Sequence, residues 1–380
     1  MKVQQTHWSP AGGWHPSPPH SSLREAQLVL VFGSRQLLDT SSVLSEIVKA
    51  YPAAIVTGCS TAGEICGDHV CDDTVVVTAL EFAHSTCTAA SVDLLHDSAG
   101  AEAGALLASR LPHHDRLRHV FVLSDGLHVN GSALVQGLTA GLPSSLAVTG
   151  GLSADGYHFQ DTAVIVDGAP RRRVVTAVGL YGDRLRIGYG SLGGWDPFGP
   201  VRLITRSRGN VLFELDGQSA LALYKRYLGD QARDLPGSAL LFPLSVRDPE
   251  ADRGVVRTVL GVSEADDSMT FAGDVPVGAF AQLMRANFDR LIDGAVGAAR
   301  VSTLALGGDA TACALLISCV GRKMVLQQRV EEEIEGVRDV VGANTVLAGF
   351  YSYGEISPFT PTGRCELHNQ TMTVTTLSER

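Results

Sequence analysis

The sequence predicts an α/β protein assembled from repeated strand–helix–strand–Gly-loop–strand units that form mixed sheets. The first observation is a threefold echo: AIVTGCSTAGEI at 54–65, LAVTGGLSADGY at 146–157 and VLAGFYSYGEIS at 346–357. In each copy an apolar run reaches Gly58, Gly150 or Gly349 and enters a short loop ending in Gly-Glu or Asp-Gly. The second observation is an apolar run upstream of each copy: LVLVFGS at 28–34, HVFVLSDG at 119–126 and CALLISCVGR at 313–322. These runs are short, partly β-branched and bounded by Gly or Ser, the marks of buried strands. The third is a strand pattern downstream of each loop: DTVVVTALEF at 73–82, DTAVIVDG at 161–168 and QTMTVTTLSE at 370–379. A strand–helix–strand step favours parallel pairing through a right-handed crossover, so the first and third units should superpose with Gly58 and Gly349 at equivalent strand ends.

The elements follow in order. Residues 1–24 (MKVQQTHWSPAGGWHPSPPHSSLR) carry Pro, His and Gly where a secretion signal would be apolar, and are expected to form a loose tail. SSVLSEIVKAY at 41–51 reads as a helix, with Ser41 or Ser42 as N-cap and Glu46 in its first turns. The stretch QQRVEEEIEGVRDVV at 327–341 places Val330, Ile334 and Val337 on one helical face. Between the second and third units the chain turns strand-rich, with a hairpin about Arg208-Gly209-Asn210 and a helix from Ser219 to Tyr227. Further strands, VVRTVLGV and SMTFAG, are expected in 254–283, followed by a helix from near Val277. A domain boundary falls at the Gly- and Pro-rich GSLGGWDPFGP, 190–200.

Composition limits the function classes. The 380 residues are 45% apolar and 18% charged, which supports ordinary cores. Thirty basic against 40 acidic residues give a net charge of −10, the wrong sign for a duplex-binding protein, so no nucleic acid is expected. No apolar stretch approaches the ~18 residues of a membrane span. Seven cysteines without a C-x-x-C pair fit reduced thiols in a cytoplasm. Cys66 and Cys71 with His69 between them are a weak zinc pattern.

No complete catalytic motif is present. Ser124-Asp125-Gly126 with His128 lacks the G-x-S-x-G elbow, and Walker A and H-E-x-x-H are absent. One G-x-G-x-x-G runs from Gly188 to Gly193, but it leads into GWDPFGP, which opens no helix. The chain therefore reads as a non-enzyme, with a catalytic or scaffold role as the other classes.

The motifs as a set resemble the FIST family. VTGCSTAGEI at 56–65 and GGLSADG at 150–156 are similar to its amino-terminal domain. VRLITRSRGNVLFELDGQSALALY at 201–224, ALLISCVGRKM at 314–324 and GFYSYGEISPF with CELHNQTMTVTTL to Leu377 are similar to its carboxy-terminal domain. The resemblance implies two associated FIST domains, at 25–195 and 196–380. It implies a cytoplasmic sensor of a small-molecule or gaseous ligand. Standalone members described as haem-binding nitric oxide sensors make haem the implied cofactor. Such a sensor regulates a separate signalling protein, a histidine kinase or a cyclic-dinucleotide enzyme; a homo-oligomer is compatible with this. The alternative is an amino acid or similar metabolite sensed without haem.

Candidate residues gather at the Gly loops, where strand ends leave free N–H groups and Gly admits a ligand to the backbone. They are Gly58, Cys59, Ser60, Thr61, Gly63 and Glu64 in the first copy, and Gly349, Tyr351, Tyr353 and Glu355 in the third. Alternation places Tyr351, Tyr353 and Glu355 on one face, although structural pairing is the commoner fate of such a carboxylate. Arg322 offers a fork for a carboxylate or haem propionate. Cys319 is a ligand or nucleophile if activated, and a buried apolar group otherwise. His368 is the preferred haem ligand and His158 the runner-up, against the ordinary outcome of a hydrogen-bonded histidine. His7, His15 and His20 in the tail, and His113 and His114 near a helix end, are poor candidates.

Overall fold

A computed structural model describes residues 1–19, 23–40, 42–96, 99–112, 116–250, 254–359 and 363–380. Ser41, His20, His113 and His114 lie outside the described residues.

Three α/β units recur, each with the same strand logic. The opening strands are Leu28–Gly33, Leu117–Ser124 and Cys313–Cys319. Helices follow, principally Val43–Ala50, Gly131–Ala140 and Val330–Val341. The glycine strands Ile55–Ser60, Ala147–Leu152 and Val346–Ser352 then return parallel to the opening strands. In all three the glycine faces the same place, with Gly58 opposite Val31, Gly150 opposite Val122 and Gly349 opposite Leu316. A Cβ there would sit 1.7–1.8 Å from the carbonyl oxygen of its partner, so only glycine fits. The expected equivalence of Gly58 and Gly349 holds, and the middle copy shares it.

Each glycine strand then sends a crossing strand into a neighbour's sheet. Glu64–Cys66 of the first unit pairs the third unit's glycine strand, with Ile65 opposite Gly349. Gly354–Pro358 of the third pairs the second, with Ile356 opposite Gly150. Val164–Val166 of the second pairs the first, with Ile165 opposite Gly58. The exchange closes on itself after three steps. DTAVIVDG, read as the second unit's final strand, is therefore its crossing strand; the return strand is Val174–Tyr181, matching Val75–Glu81 and Met372–Glu379.

Each return strand also pairs a leading strand from earlier in the chain: Lys2–Ser9, Thr86–Asp93 and Leu185–Leu192. Residues 2–15, expected to belong to a loose tail, are thus paired strands instead. The polar alternation of KVQQTHWS suits an antiparallel strand that runs from Lys2 opposite Glu81 to Trp8 opposite Val75. Gly188 and Gly190 of G-x-G-x-x-G lie in the third leading strand, where a Cβ would meet the carbonyls of Ser302 and Ala298 in the helix Phe288–Leu304. Their job is close helix–strand packing.

The inner faces of the units meet in one apolar core containing Leu30, Phe32, Phe121, Leu123, Leu315, Ile317 and Phe350. Helices cover the outer faces, so the opening strands are buried on both sides, as their continuous apolar runs require. Between the third leading strand and its helix, residues 196–285 form an inserted antiparallel sheet around the helix Ala220–Leu228. The hairpin at 208–210 is present; the helix expected near Val277 is instead the strand Phe280–Arg285, and the helix starts at Phe288. No helix is long and apolar enough to cross a membrane among the described residues.

Gly58→Ala and Gly349→Ala are each expected to destabilise the protein by about 3 kcal/mol, the upper range for overpacking a core. Denaturant midpoints check this, and a cost below about 0.5 kcal/mol would place these glycines in ordinary strand geometry.

Candidate functional site

The repeat carries one buried carboxylate in matching surroundings in two units. Glu64 accepts the Thr61 hydroxyl on one oxygen, and the Thr74 N–H (3.2 Å) and hydroxyl (2.6 Å) on the other. Glu355 accepts the Ser352 hydroxyl at 2.8 Å, and the Thr371 N–H (3.1 Å) and hydroxyl (2.9 Å). Each carboxylate therefore ties a glycine-strand loop to the start of a return strand. Burial pushes Glu64 up to about 7 and Glu355 up to about 8, against the hydrogen bonds that favour the ionised form. In the second unit Asp125 takes over, accepting N–H bonds from Leu127, His128 and Arg173 at 2.8–3.0 Å.

The third unit's loop is sealed. Arg322, expected to meet a ligand, is wholly buried and spends its donors on Glu333 (2.7 and 3.1 Å) and the carbonyls of Leu291 and Gly193. Tyr351 donates to the same Glu333 at 2.7 Å. Tyr353 donates its hydroxyl to Asp155 and stacks on Phe159 at 4.3 Å. Glu355, Gly349 and Cys319 are core residues, and burial raises the Cys319 thiol far from thiolate formation. These expected contacts are corrected because each of the six residues is buried against protein partners, and Tyr353 stands between two strands that belong to different sheets.

The first unit's loop is open. A cleft of about 480 Å³ lies at the carboxyl ends of Leu28–Gly33 and Ile55–Ser60. Thr61, Gly63 and Glu64 line it, with His158 exposed at its edge. Gly58, Cys59 and Ser60 lie below it: Gly58 makes the backbone approach, Cys59 packs in the core, and Ser60 Oγ accepts the Ala163 N–H at 2.9 Å.

Sequence reasoning missed the other walls, Ser34, Arg35, Asp39, Asp72, Asp73, Asp155 and Asp161. Arg35 lies 2.7 Å from Asp39 and 3.0 Å from Asp161, and its Nε is buried without a partner, as is Ser34 Oγ. Asp72 is held by Lys323, which also donates to the Ala62 carbonyl at 2.9 Å. The available signal was positional: Ser34-Arg35 and Asp72-Asp73 stand where Cys319-Val320 and Asn369-Gln370 stand in the third unit.

The surroundings of His368 do not fit a haem. Its Nε2 is taken by the Ser357 carbonyl at 2.7 Å, its ring packs edge-on to Phe359 at 4.0 Å, and burial lowers it to about 4. Nδ1 is unpartnered, but the residue is only 1% exposed and walls neither large cleft. The larger cleft, about 990 Å³ between Gly131–Ala140, Cys365–His368 and the inserted sheet, has no histidine among its described walls. Among the described residues no three His, Cys, Asp or Glu side chains gather as a metal site, Cys66, His69 and Cys71 included. Ser124 donates to the backbone of Asp125 and does not meet His128, which faces the Asp125 carboxylate at 3.1 Å.

The two buried glutamic acids set a pH dependence. Their folded values lie above the ordinary 4.5, so the native state holds protons that the unfolded chain has released. Their stabilising contribution is complete below about pH 4.5 and is lost as pH rises through about 7 and 8. Glu355→Gln can keep the Ser352 and Thr371 bonds in neutral form and is expected to flatten the decline in stability between about pH 4.5 and about pH 8. Denaturant titrations at several pH values check this; an unchanged slope would mean Glu355 is ionised in the fold.

Comparison with known families matches residues 27–218 to the FIST N domain and 220–358 to the FIST C domain. No curated protein matches. Among solved structures, the chain is similar to cyanuric acid hydrolase from A. caulinodans, at 9% identity and a TM-score of 0.39, covering 100% of this chain and 99% of that one. It is also similar to a cyanuric acid hydrolase described as an innovation by structural concatenation, at 12% identity and a TM-score of 0.31, covering 99% of each chain. With both domain matches running in order over most of its length, the chain belongs to the FIST family, whose domains are associated with sensory signalling.

Proposed function

We propose that this FIST protein senses a small polar metabolite, of amino-acid size, in the first unit's cleft. The observation that carries the reading is the asymmetry of three related strand ends. The third is packed shut and the second is closed by its own Asp125 turn, while the first opens into about 480 Å³ lined by the Thr61–Glu64 loop. That volume lies in the range of small-molecule sites, and strand carboxyl ends are where α/β sheets place ligands.

A route outward is built in. The hairpin from Glu64–Cys66 to His69–Cys71 has both of its ends, Gly63–Glu64 and Asp72–Asp73, in the cleft wall. Its far end rests on the helix Val330–Val341: Val70 N–H and His69 meet Glu331 at 3.2 and 3.3 Å, and Arg338 meets Asp68 at 2.6 Å. A ligand that favours one hairpin position shifts that helix face, which a separate signalling protein such as a histidine kinase reads. This reading takes no haem at His368, which offers no open coordination face.

The test is thermal denaturation against amino acids, amines and carboxylic acids. A ligand at about 100 times its Kd is expected to stabilise by about 2.7 kcal/mol. Ser34→Leu, which fills the floor, and His158→Trp, which crowds the rim, should both abolish the shift. A shift that survives both variants would place the ligand elsewhere.

A further inference from the structure

We infer that the cleft recognises its ligand through a primary ammonium group held by Asp73, an inference that rests on the cleft being the sensor site. The three units allow the open cleft to be compared with a filled counterpart inside the same molecule.

Asp73 and Gln370 are equivalent residues. Both have left-handed backbone, φ 53° and 65°. Each precedes the threonine that holds the buried glutamic acid, Thr74 for Glu64 and Thr371 for Glu355. Each of those threonine carbonyls accepts an N–H from the residue after the opening strand or at its end, Ser34 at 3.0 Å and Cys319 at 3.1 Å.

In the third unit the inserted domain occupies the space above this turn. Gln370 Nε2 donates to the Leu240 carbonyl at 3.1 Å and to the Thr258 hydroxyl at 3.2 Å. The insert thus presents acceptors to a side-chain donor. In the first unit the same position carries Asp73, whose carboxylate only accepts. The occupant's polarity must reverse: where the insert accepts, the ligand donates.

Charge selects the donor. Six carboxylates and one arginine line the cleft. Arg35 is engaged by Asp39 and Asp161, Lys323 neutralises Asp72, and Glu64 and Asp155 are satisfied by hydroxyl and N–H donors. Asp73 alone among these lining carboxylates has no partner among the described residues. A charge-assisted bond to it is roughly twice as strong as a neutral one, which favours ammonium over hydroxyl. The described side chains do not converge as a metal site, so the cation is an organic one. The ammonium can be the α-amino group of an amino acid or the amine of a decarboxylated relative.

Calorimetry on the full chain distinguishes these sources, with three probe sets: L-amino acids, the amines left by their decarboxylation, and their N-acetyl derivatives. At least one free amine should bind, its N-acetyl form should lose at least tenfold in affinity, and Asp73→Asn should lose at least tenfold for the same amine. Asn tolerates the left-handed turn, so the variant keeps the loop. Amino acids binding without their amines assigns the α-ammonium with a carboxylate requirement; both binding assigns the ammonium alone. N-acetyl derivatives binding as well as free amines, or Asp73→Asn binding unchanged, would overturn the ammonium while leaving the cleft in place. No binding by any probe would overturn both readings.

Discussion

The architecture depends on three places where one backbone presses against another. At Gly58, Gly150 and Gly349 the missing Cβ lets a glycine strand bring its backbone onto the carbonyl of its parallel neighbour. Crossing strands then pair in the adjacent sheets opposite these same glycines, at Ile165, Ile356 and Ile65. Because each unit lends a strand to the next, no unit has a complete sheet alone. The repeat is thus a closed assembly inside one chain, and a fault at one glycine is felt in two units, its own and the one that lends the crossing strand. Stacked supersecondary units that cannot bury their faces singly gain stability in this way.

The buried carboxylates belong to the same joint. A carboxyl group removed from water is costly unless its oxygens are hydrogen-bonded, and neutralising it lowers that cost further. Glu64 and Glu355 do both, spanning from the end of a glycine strand to the head of a return strand. Their position made them look like ligand-binding groups. In the structure they are cross-braces, and Glu64 also lines the open cleft.

The repeat was legible because it was written in strong signals: β-branched runs ending at a glycine, with the same loop chemistry after each. The first strand was not, because KVQQTHWS is half polar and sits before a run of Pro and His that resembles a tail. The site was half legible. Thr61, Gly63, Glu64 and His158 reach the cleft, whereas Arg322, Tyr351, Tyr353 and Glu355 do not. Alternation reports which residues share a face but not what covers that face. The cover over the third unit's strand ends comes from elsewhere in the chain: Leu240 and Thr258 meet Gln370, Leu291 and Gly193 meet Arg322, and Asp155 and Phe159 meet Tyr353, contacts recognisable only in three dimensions. Asp73 escaped notice because an exposed aspartate before a strand is an ordinary turn residue until its counterpart, Gln370, shows what that position can hold.

The place of the insertion explains how a threefold framework acquires a single open mouth. Residues 196–285 leave the third unit between its leading strand and the helix Phe288–Leu304, so both ends of the insert are anchored on that unit. Trp195, at the hinge, donates to the Gln370 carbonyl at 3.0 Å, and Arg257 donates to the Leu367 carbonyl at 2.8 Å. The insert is thus held against the third unit's strand ends. The first unit has only residues 10–27 between its leading strand Lys2–Ser9 and its opening strand Leu28–Gly33, too few for such an insertion, and a cleft lies at its strand ends. Asymmetry in the connections, imposed on equivalent strands, leaves one of three related positions as an open cleft and fills another with the insert. On the proposed reading the same turn serves cohesion in one unit and recognition in the other, with the polarity of a single side chain, Gln370 against Asp73, marking the difference.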